Sequence, residues 1–324
     1  MIPPSPTTSR IRAMPPAPSA TTPVGRFAPS PTGPLHFGSL LTAVGSYCLA
    51  HQAGGSWLLR IEDLDPPRVV PGAADLILRT LDTLALHWDG EVLYQSRRSA
   101  RYAEALAILE QKGLIYGCAC SRKEILASAP HPGEEGPIYP GHCRAGLAPG
   151  RSPRAWRLRV PPRSIILTDG VRGRIIQHLA EDVGDFVIRR ADGLFAYQLA
   201  VVVDDADSGV TQVVRGQDLL TSTPRQIYLQ ECLGFPHPDY IHLPLALADD
   251  GEKISKRHGA VAVSREGGGR LIAAALRFLG QPFPEEWADA PAADVLRWGV
   301  AHFNLSRVPK TSQPLPESVR ACLF

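Results

Sequence analysis

The chain has 324 residues, which is long enough to bury a large hydrophobic core and commonly corresponds to more than one domain. Its formal net charge of +2 gives no overall attraction to nucleic acid, so a nucleic-acid surface would have to be local. One stretch rich in arginine could supply such a surface or could simply be solvated: Arg151, Arg154, Arg157 and Arg159. No apolar run reaches the ~20 residues of a membrane-spanning helix, which argues against an integral membrane protein.

Cysteine usage and the amino-terminal composition indicate where the protein works. The six cysteines are too few and too unevenly spaced for a disulfide framework, which predicts a reducing, cytoplasmic setting. Residues 1–23 are rich in proline, serine and threonine and lack the apolar centre of a secretory signal. We therefore expect them to form a disordered tail ahead of the folded chain.

The first folded segment is predicted to combine a strand, a turn and a helix. An apolar strand over about 24–28 breaks at a turn rich in Pro, Ser, Thr and Gly, and a helix follows from about Leu40 to Gly54. This geometry gathers free backbone N–H groups that can face a phosphate. His36 and Ser39 lie at the mouth of the helix and could join them. The turn matches neither a dinucleotide-binding nor a Walker motif.

A buried strand over 57–61 follows and ends in Glu62 and Asp63. Because ligands bind beyond the carboxyl ends of strands in an open parallel sheet, these two acids are candidates for the functional site. Helices predicted at about 72–87 and 99–112 would cover the sheet. We take residues 24–114 as the first half of a nucleotide-binding fold.

The pattern changes in residues 115–184, which contain a Cys-x-Cys pair, a loop rich in Pro and Gly, and basic strands. This segment is predicted to be an insertion between the two halves of the nucleotide-binding fold. The second half, 185–244, begins with a strand over 185–190 and a hairpin turn that lead back to the main sheet. Residues 199–203 are a continuous apolar run, as a central parallel strand requires, and they end in two aspartates.

A strand is predicted at 213–218, and Thr223-Pro224 begins a helix that Gly234 ends. The final segment, 245–324, contains a basic loop at 253–257 and then a helix from about 270 to 279. Two lysines and a hydroxyl on such a loop could close on developing phosphate charge, although the loop by itself fits a solvated surface equally well.

Cys118, Cys120 and Cys143 together suggest a tetrahedral zinc site that lacks one ligand. Spacing alone leaves three candidates for the fourth ligand: His131, Tyr139 and His142. His142 is disfavoured because adjacent residues of an extended chain point in opposite directions. Three free thiols remain the alternative interpretation.

Two separated motifs resemble the signatures of class I aminoacyl-tRNA synthetases. Residues 26–33 (RFAPSPTG) with the tetrapeptide 36–39 (HFGS) resemble the first signature in its glutamate-specific form, and residues 253–257 (KISKR) resemble the second. The resemblance implies an α/β, Rossmann-like nucleotide-binding fold with an inserted domain. It also implies that ATP is bound and activated by His36, Gly38, Ser39, Lys253 and Lys256.

The same resemblance implies a glutamate pocket. Arginines can bind the substrate carboxylates in fork geometry, a tyrosine can add a hydroxyl, and Glu62 can balance the substrate ammonium. The implied pocket residues are Arg26, Phe27, Ala28, Pro29, Ser30, Glu62, Tyr197 and Arg215.

Too few residues follow the basic loop for the anticodon-binding domain of a full glutamyl-tRNA synthetase, and only a short segment that could contact the tRNA stem remains. Residues 62–68 (EDLDPPR) and the Tyr139-x-x-x-Cys143 spacing instead resemble the truncated glutamyl-Q tRNA(Asp) synthetases. Members of that family activate glutamate with ATP, without requiring tRNA, and place it on queuosine in the anticodon of tRNA(Asp).

This resemblance implies ATP, L-glutamate and queuosine-containing tRNA(Asp) as partners, Mg²⁺ with the ATP, and one structural zinc with Tyr139 as fourth ligand. We expect a cytoplasmic monomer. Three alternatives stay open: a minimal synthetase that charges the 3′ end of tRNA(Glu), a non-catalytic RNA-binding paralogue, and a small-molecule adenylating enzyme.

Overall fold

The computed structural model describes residues 22–128, 132–133, 136–248, 251, 267–287 and 289–315. The first half of the fold consists, in chain order, of β1 (Val24–Phe27), α1 (Phe37–Gln52), β2 (Ser56–Ile61), α2 (Ala73–Thr83), β3 (Leu93–Tyr94) and α3 (Ser99–Gln111). β2 pairs in parallel with both β1 and β3. The predicted strands and helices of this half are confirmed, although α2 ends four residues earlier than the predicted His87.

The segment predicted as an insertion folds largely onto itself. It contains β4 (Ile115–Cys118), α4 (Arg122–Ser128), β5 (Pro132–Gly133), β6 (Gly136–Pro137), β7 (Ala155–Leu158), β8 (Ser164–Asp169), β9 (Gly173–His178) and α5 (Leu179–Asp182), and β10 (Val187–Arg189) follows just after it. β7 pairs antiparallel with β4 and β10, and β8 pairs antiparallel with β9. The strand predicted over 185–190 is thus present as β10, but it joins the sheet of the inserted segment and not the parallel sheet.

The second half contains α6 (Tyr197–Asp207), β11 (Gln212–Gly216), α7 (Thr223–Leu233) and β12 (Asp239–Leu243). The central strand predicted over 199–203 is wrong, because these residues form the middle of α6. All of residues 199–205 in this helix are buried. Residues 199–203 are therefore apolar on every side of the helix, and the two aspartates follow them. Such a run has no 3.6-residue alternation, and a short buried helix then has the same sequence pattern as a buried strand.

The two parallel sheets meet at β1 and β11. β11 pairs in parallel with β12, and the Thr211 N–H donates to the Val24 carbonyl over 3.0 Å at the start of β1. Within the described residues β3-β2-β1 and β11-β12 are separate hydrogen-bonded sheets. Because β1 lies against β11, their strands follow one another in space in the order β3-β2-β1-β11-β12, as in a Rossmann fold. The carboxyl ends of β1, β2 and β11 meet at one edge, where a ligand site is expected.

The carboxyl-terminal segment packs against α1. It contains β13 (Ala246–Leu247), α8 (Gly268–Phe278), α9 (Ala292–His302) and β14 (Gln313–Pro314). The rings of Phe37 and Phe278 meet edge to face, with centroids 5.9 Å apart, and this contact joins α1 to the predicted helix α8.

Lys253 and Lys256 lie outside the described residues. In the part of the chain that the structure describes, no helix is both long and apolar enough to span a bilayer.

Candidate active site

A cavity of about 510 Å³ lies at the carboxyl ends of β1, β2 and β11. The structure brings together around it all the predicted glutamate and ATP residues that lie within the described ranges. Those lining residues are Arg26, Phe27, Ala28, Pro29, Ser30, His36, Gly38, Ser39, Glu62, Tyr197 and Arg215. Residues almost 190 positions apart in the sequence, such as Arg26 and Arg215, thus line one cavity. They come together because three strand ends meet there.

The mouth of α1 forms one side of the cavity. His36 has an extended backbone and caps the helix, and its Nδ1 accepts a hydrogen bond from the Ser39 N–H over 3.3 Å. The other ring nitrogen lies 3.3 Å from the Ser39 hydroxyl. A Cβ atom at Gly38 would lie 3.2 Å from the His36 ring, so glycine leaves room for the imidazole over the helix end. The cavity therefore faces the N–H groups of a helix N-terminus, which favour bound phosphate.

Two residues that line the cavity, Arg26 and Glu62, belong to a buried charge network. Asp205 of α6 accepts hydrogen bonds from Arg26 Nε (3.3 Å) and Arg60 Nη1 (2.5 Å), and Arg60 Nη2 donates to Glu62 Oε1 over 3.1 Å. Burial tends to raise the pKa of Asp205, but the two arginines outweigh it and hold that pKa below its usual value. The pair of arginines and the pair of acids therefore balance one another away from water.

Glu62 and Tyr197 line the cavity above this network. Burial raises the pKa of Glu62, while Arg60 and Arg26 oppose the increase. Burial also raises the pKa of Tyr197 at the start of α6, and the nearby Glu62 carboxylate adds to the effect. Glu62 thus places a carboxyl group, and Tyr197 a neutral hydroxyl, in a cavity that Arg26 and Arg215 also line.

Arg215 at the end of β11 differs from Arg26 and Arg60, the other buried arginines of this site, because its hydrogen-bond partners among the described residues are uncharged. Its Nε donates to His242 Nε2 (3.0 Å), and its Nη2 donates to Thr223 Oγ1 (2.8 Å) and Gln226 Oε1 (2.7 Å). Its Nη1 is buried and has no hydrogen-bond partner among the described residues. A buried guanidinium with an unpaired nitrogen beside a cavity is suited to receive an anionic group.

Several residues that hold these arginines were not predicted as part of the site. Asp205 was interpreted only as the end of a strand, whereas it joins Arg26 to Arg60 from a helix. His242, Thr223 and Gln226 surround Arg215, and no short motif marks them. The two consecutive acids after a buried apolar run were the one available signal, since buried carboxylates need cationic partners.

The predicted metal-binding residues form a second cluster at the end of β4. The sulfur atoms of Cys118, Cys120 and Cys143 all lie within 4.8 Å of one another, so the three could hold one metal ion. The Tyr139 hydroxyl lies 3.5 Å from the Cys118 sulfur and 3.6 Å from that of Cys120, and it accepts the Cys143 N–H over 2.9 Å. The ring of His142 lies edge-on beside the Tyr139 ring, with centroids 6.3 Å apart.

Burial opposes ionisation of Cys143, but hydrogen bonds from the Tyr139 hydroxyl and the Ala119 backbone lower the pKa of its thiol to about 7. The Arg157 guanidinium stacks over the ring of Tyr139, 3.8 Å from the ring centroid. This contact also changes the interpretation of the arginine-rich stretch. Arg157 is buried and supports the cysteine cluster, so the stretch is not one continuous basic surface.

Comparison with known proteins assigns the class of the fold and site. The sequence profile of the family described as tRNA synthetases class I (E and Q), catalytic domain, matches residues 24–280. A glutamate–tRNA synthetase structure from Elizabethkingia anophelis is similar with a TM-score of 0.79 and 25% sequence identity, over 94% of this chain and 70% of that one. A glutamate tRNA ligase from Elizabethkingia meningosepticum gives a TM-score of 0.78 over 93% of this chain and 68% of that one, also at 25% identity.

Curated relatives narrow the assignment. The glutamyl-Q tRNA(Asp) synthetase of Dechloromonas aromatica is 60% identical over 89% of this chain and 96% of its own length. That of Geobacter sulfurreducens is 55% identical over 91% of this chain and 96% of its own length. The chain belongs to the glutamyl-Q tRNA(Asp) synthetase family of class I aminoacyl-tRNA synthetases, and it is a ligase-type enzyme.

Proposed function

We propose that this protein activates L-glutamate with ATP and transfers the glutamyl group to queuosine in the anticodon of tRNA(Asp). The observation that carries the proposal is the placement of Arg215. Arg215, whose Nη1 is buried and has no hydrogen-bond partner among the described residues, lines the same cavity as the N-terminus of α1. One cavity therefore offers an anion site for an amino-acid carboxylate beside an anion site for phosphate. The relatives named above supply the choice of tRNA.

Glutamate would be bound by complementary charges. Three arginines of the described residues line the cavity: Arg26, Arg68 and Arg215. Arg68 is exposed and paired with Asp65, so we assign the substrate carboxylates to Arg26 and Arg215, each of which can bond a carboxylate oxygen. Glu62 would balance the substrate ammonium, and the Tyr197 hydroxyl would add a hydrogen bond. Arg26 is already paired with Asp205, so we assign the larger share of the carboxylate binding to Arg215.

In the first step the α-carboxylate of glutamate attacks the α-phosphorus of ATP, and pyrophosphate leaves with its electron pair. The backbone N–H groups at the α1 mouth, with His36 and Ser39, would stabilise the charge that develops on the phosphate oxygens. We assign Lys253 and Lys256, which lie outside the described residues, to the same charge. Mg²⁺ is expected to accompany ATP.

In the second step a hydroxyl of the queuosine cyclopentene ring attacks the carbonyl carbon of the glutamyl-adenylate. The bond from that carbon to the phosphate oxygen breaks and AMP leaves, while the hydroxyl proton goes to solvent or to the leaving phosphate. No general base is assigned, because adenylate is already an activated acyl donor. Most of the rate acceleration would come from holding the two groups in contact.

The cysteine cluster is proposed to hold one structural zinc ion. Three sulfurs and the Tyr139 oxygen are close enough to share one ion, and three thiolates with one oxygen fit the donor preferences of zinc. Bound zinc would supply a fixed cross-link between β4 and the 139–143 loop. Because four protein ligands leave no open position, we assign it no part in the reaction.

Tyr139→Phe is expected to weaken zinc retention, because the hydroxyl that lies beside two of the three sulfurs is removed. We expect a loss of about 10- to 100-fold in affinity. Zinc content after dialysis against a graded chelator series measures it. His142→Ala is the matched control and should retain zinc as the wild type does. The reverse pattern would reassign the fourth ligand to His142.

The activation half of the proposal is tested by ATP–pyrophosphate exchange without tRNA. Exchange that depends on L-glutamate, and that aspartate or glutamine supports poorly, is the expected result. No exchange with any amino acid would refute the proposed adenylation. A minimal glutamyl-tRNA synthetase remains the second candidate because the similar solved structures are glutamate–tRNA ligases, and the choice of tRNA distinguishes the two.

A further inference from the structure

A carboxylate from the inserted segment reaches the glutamate pocket through one histidine. Asp169 ends β8, and His242 lies on β12 of the parallel sheet. Asp169 Oδ2 is 2.7 Å from His242 Nδ1, and both side chains are fully buried. His242 Nε2 in turn lies 3.0 Å from Nε of Arg215. Three side chains therefore form one chain from β8 to the substrate cavity.

The hydrogen bonds around Asp169 determine which of its oxygens faces the histidine. Oδ1 accepts the backbone N–H groups of Val171 (3.0 Å), Arg172 (2.8 Å) and His242 (3.3 Å). Oδ2 faces the imidazole of His242. Gly170 adds a backbone bond from its N–H to the Tyr240 carbonyl over 2.9 Å, which holds the end of β8 against β12.

The proton in the Asp169–His242 bond belongs on His242 Nδ1. Burial tends to raise the pKa of Asp169, but the bonds from His242 and the backbone N–H groups keep it lowered. Burial lowers the pKa of His242, and the facing Arg215 cation lowers it further, against the effect of Asp169. The pair is therefore an ionised carboxylate and a neutral imidazole. Since an ionised carboxylate only accepts, the imidazole must carry its proton on Nδ1.

A proton on Nδ1 leaves Nε2 as an acceptor, which is what Arg215 requires. Arg215 Nε donates to it, and Arg215 Nη2 is held by Thr223 and Gln226. These bonds fix the plane of the guanidinium and leave Nη1 unpaired. The opposite tautomer would place an N–H of His242 against the N–H of Arg215, and the arginine would have to turn away.

We propose that Asp169 and His242 are positioning residues that set the affinity for glutamate by fixing the orientation of Arg215. The proposal rests on the proposed function, because it assumes that Arg215 binds a substrate carboxylate. It assigns to the inserted segment a part in amino-acid binding, in addition to any contact with tRNA. Neither residue is expected to touch glutamate or ATP.

Asp169→Asn tests the proposal with a nearly isosteric change. The three backbone N–H groups need the oxygen of the introduced amide, so the amide nitrogen would face His242 Nδ1 and donate to it. The imidazole then carries its proton on Nε2 and repels Arg215. We expect KM for glutamate in the exchange assay to rise about 10- to 100-fold, with KM for ATP and kcat changed less than about threefold. Asp239→Asn, at an exposed position of β12, is the matched control and should behave as the wild type.

A second pair of variants keeps the test decisive if Asp169→Asn does not fold. His242→Gln can present an amide oxygen to Arg215 without help from Asp169, whereas His242→Met has a similar length and no comparable acceptor. We expect the methionine variant to have the higher KM for glutamate, by about tenfold or more. In the glutamine background, Asp169→Asn should cost little further affinity, because the tautomer no longer matters.

Unchanged KM for glutamate in Asp169→Asn, or equal values for the two His242 variants, would overturn the positioning role. So would an equal rise of KM for glutamate and for ATP, which would indicate general distortion. These results differ from a failure of the proposed function, in which the wild-type enzyme itself would show no glutamate-dependent exchange.

Discussion

Arg215→Ala is expected to raise KM for glutamate by about 100-fold or more, while KM for ATP changes less than about threefold. The variant loses the guanidinium nitrogen that is buried without a partner beside the cavity. It also leaves His242, Thr223 and Gln226 without their shared donor, so the pocket cannot be rebuilt around another group. Glutamate-dependent ATP–pyrophosphate exchange, with each substrate varied in turn, measures both constants.

The matched control for this prediction is Arg297→Ala on α9, whose side chain is 79% exposed. It removes a guanidinium of the same size that does not line the cavity, and both KM values should stay at the wild-type level. An equal rise of the two KM values in Arg215→Ala would contradict a carboxylate contact. A fall in kcat alone would assign Arg215 to the phosphate charge instead.

His36→Ala is expected to lower kcat of the exchange by about 100- to 1,000-fold and to leave KM for glutamate nearly unchanged. His36 caps α1 and bonds both the backbone N–H and the hydroxyl of Ser39, so its loss removes one donor and loosens another. The charge on the phosphate oxygens grows only as the α-phosphorus is attacked, and a group that stabilises it acts mainly in the transition state.

His87→Ala serves as the control, because this histidine is exposed and does not line the cavity. It should leave the exchange unchanged. A His36→Ala enzyme with wild-type kcat and a raised KM for glutamate would contradict the assignment, since it would place the imidazole on the amino acid. Thermal unfolding of both variants shows whether the missing helix cap has destabilised the fold.

The first half of the fold could be predicted because its signals are local. An apolar strand, a turn rich in proline and glycine, and a helix that Gly54 ends are each contained within a few residues. The same holds for α7, where Pro224 lies in the first turn and Gly234 adopts a left-handed conformation at the end. The site residues of β1 and α1 are part of these elements. Once the strand, turn and helix are predicted, these residues are expected to lie at one cavity.

The error at 199–203 has a physical cause. The apolar run lies in a helix packed on all sides, and burial removes the polar face that would have revealed its period. The two aspartates that follow are buried as well, and they are tolerated because Asp205 bonds two arginines and Asp204 bonds Gln95 and Arg98. Sequence spacing could not show these partners, which lie more than a hundred positions away.

The contacts that orient Arg215 could not be predicted for a similar reason. Asp169 and His242 are 73 positions apart and belong to different parts of the chain. Neither lies in a motif, and each type of residue occurs at many other positions. Only the packing of β8 against β12 brings them together. The cysteine cluster was easier, because the Cys118-x-Cys120 pair and Cys143 are the kinds of residue that bind metal at such spacing.

The most direct test of the central claim is to supply radiolabelled glutamate and ATP with three RNAs: queuosine-containing tRNA(Asp), queuosine-free tRNA(Asp) and tRNA(Glu). We predict label on queuosine-containing tRNA(Asp) alone, and we predict that the label survives removal of the 3′ adenosine. Label on the 3′ end of tRNA(Glu), or equal labelling of the two tRNA(Asp) samples, would contradict the proposed transfer to queuosine.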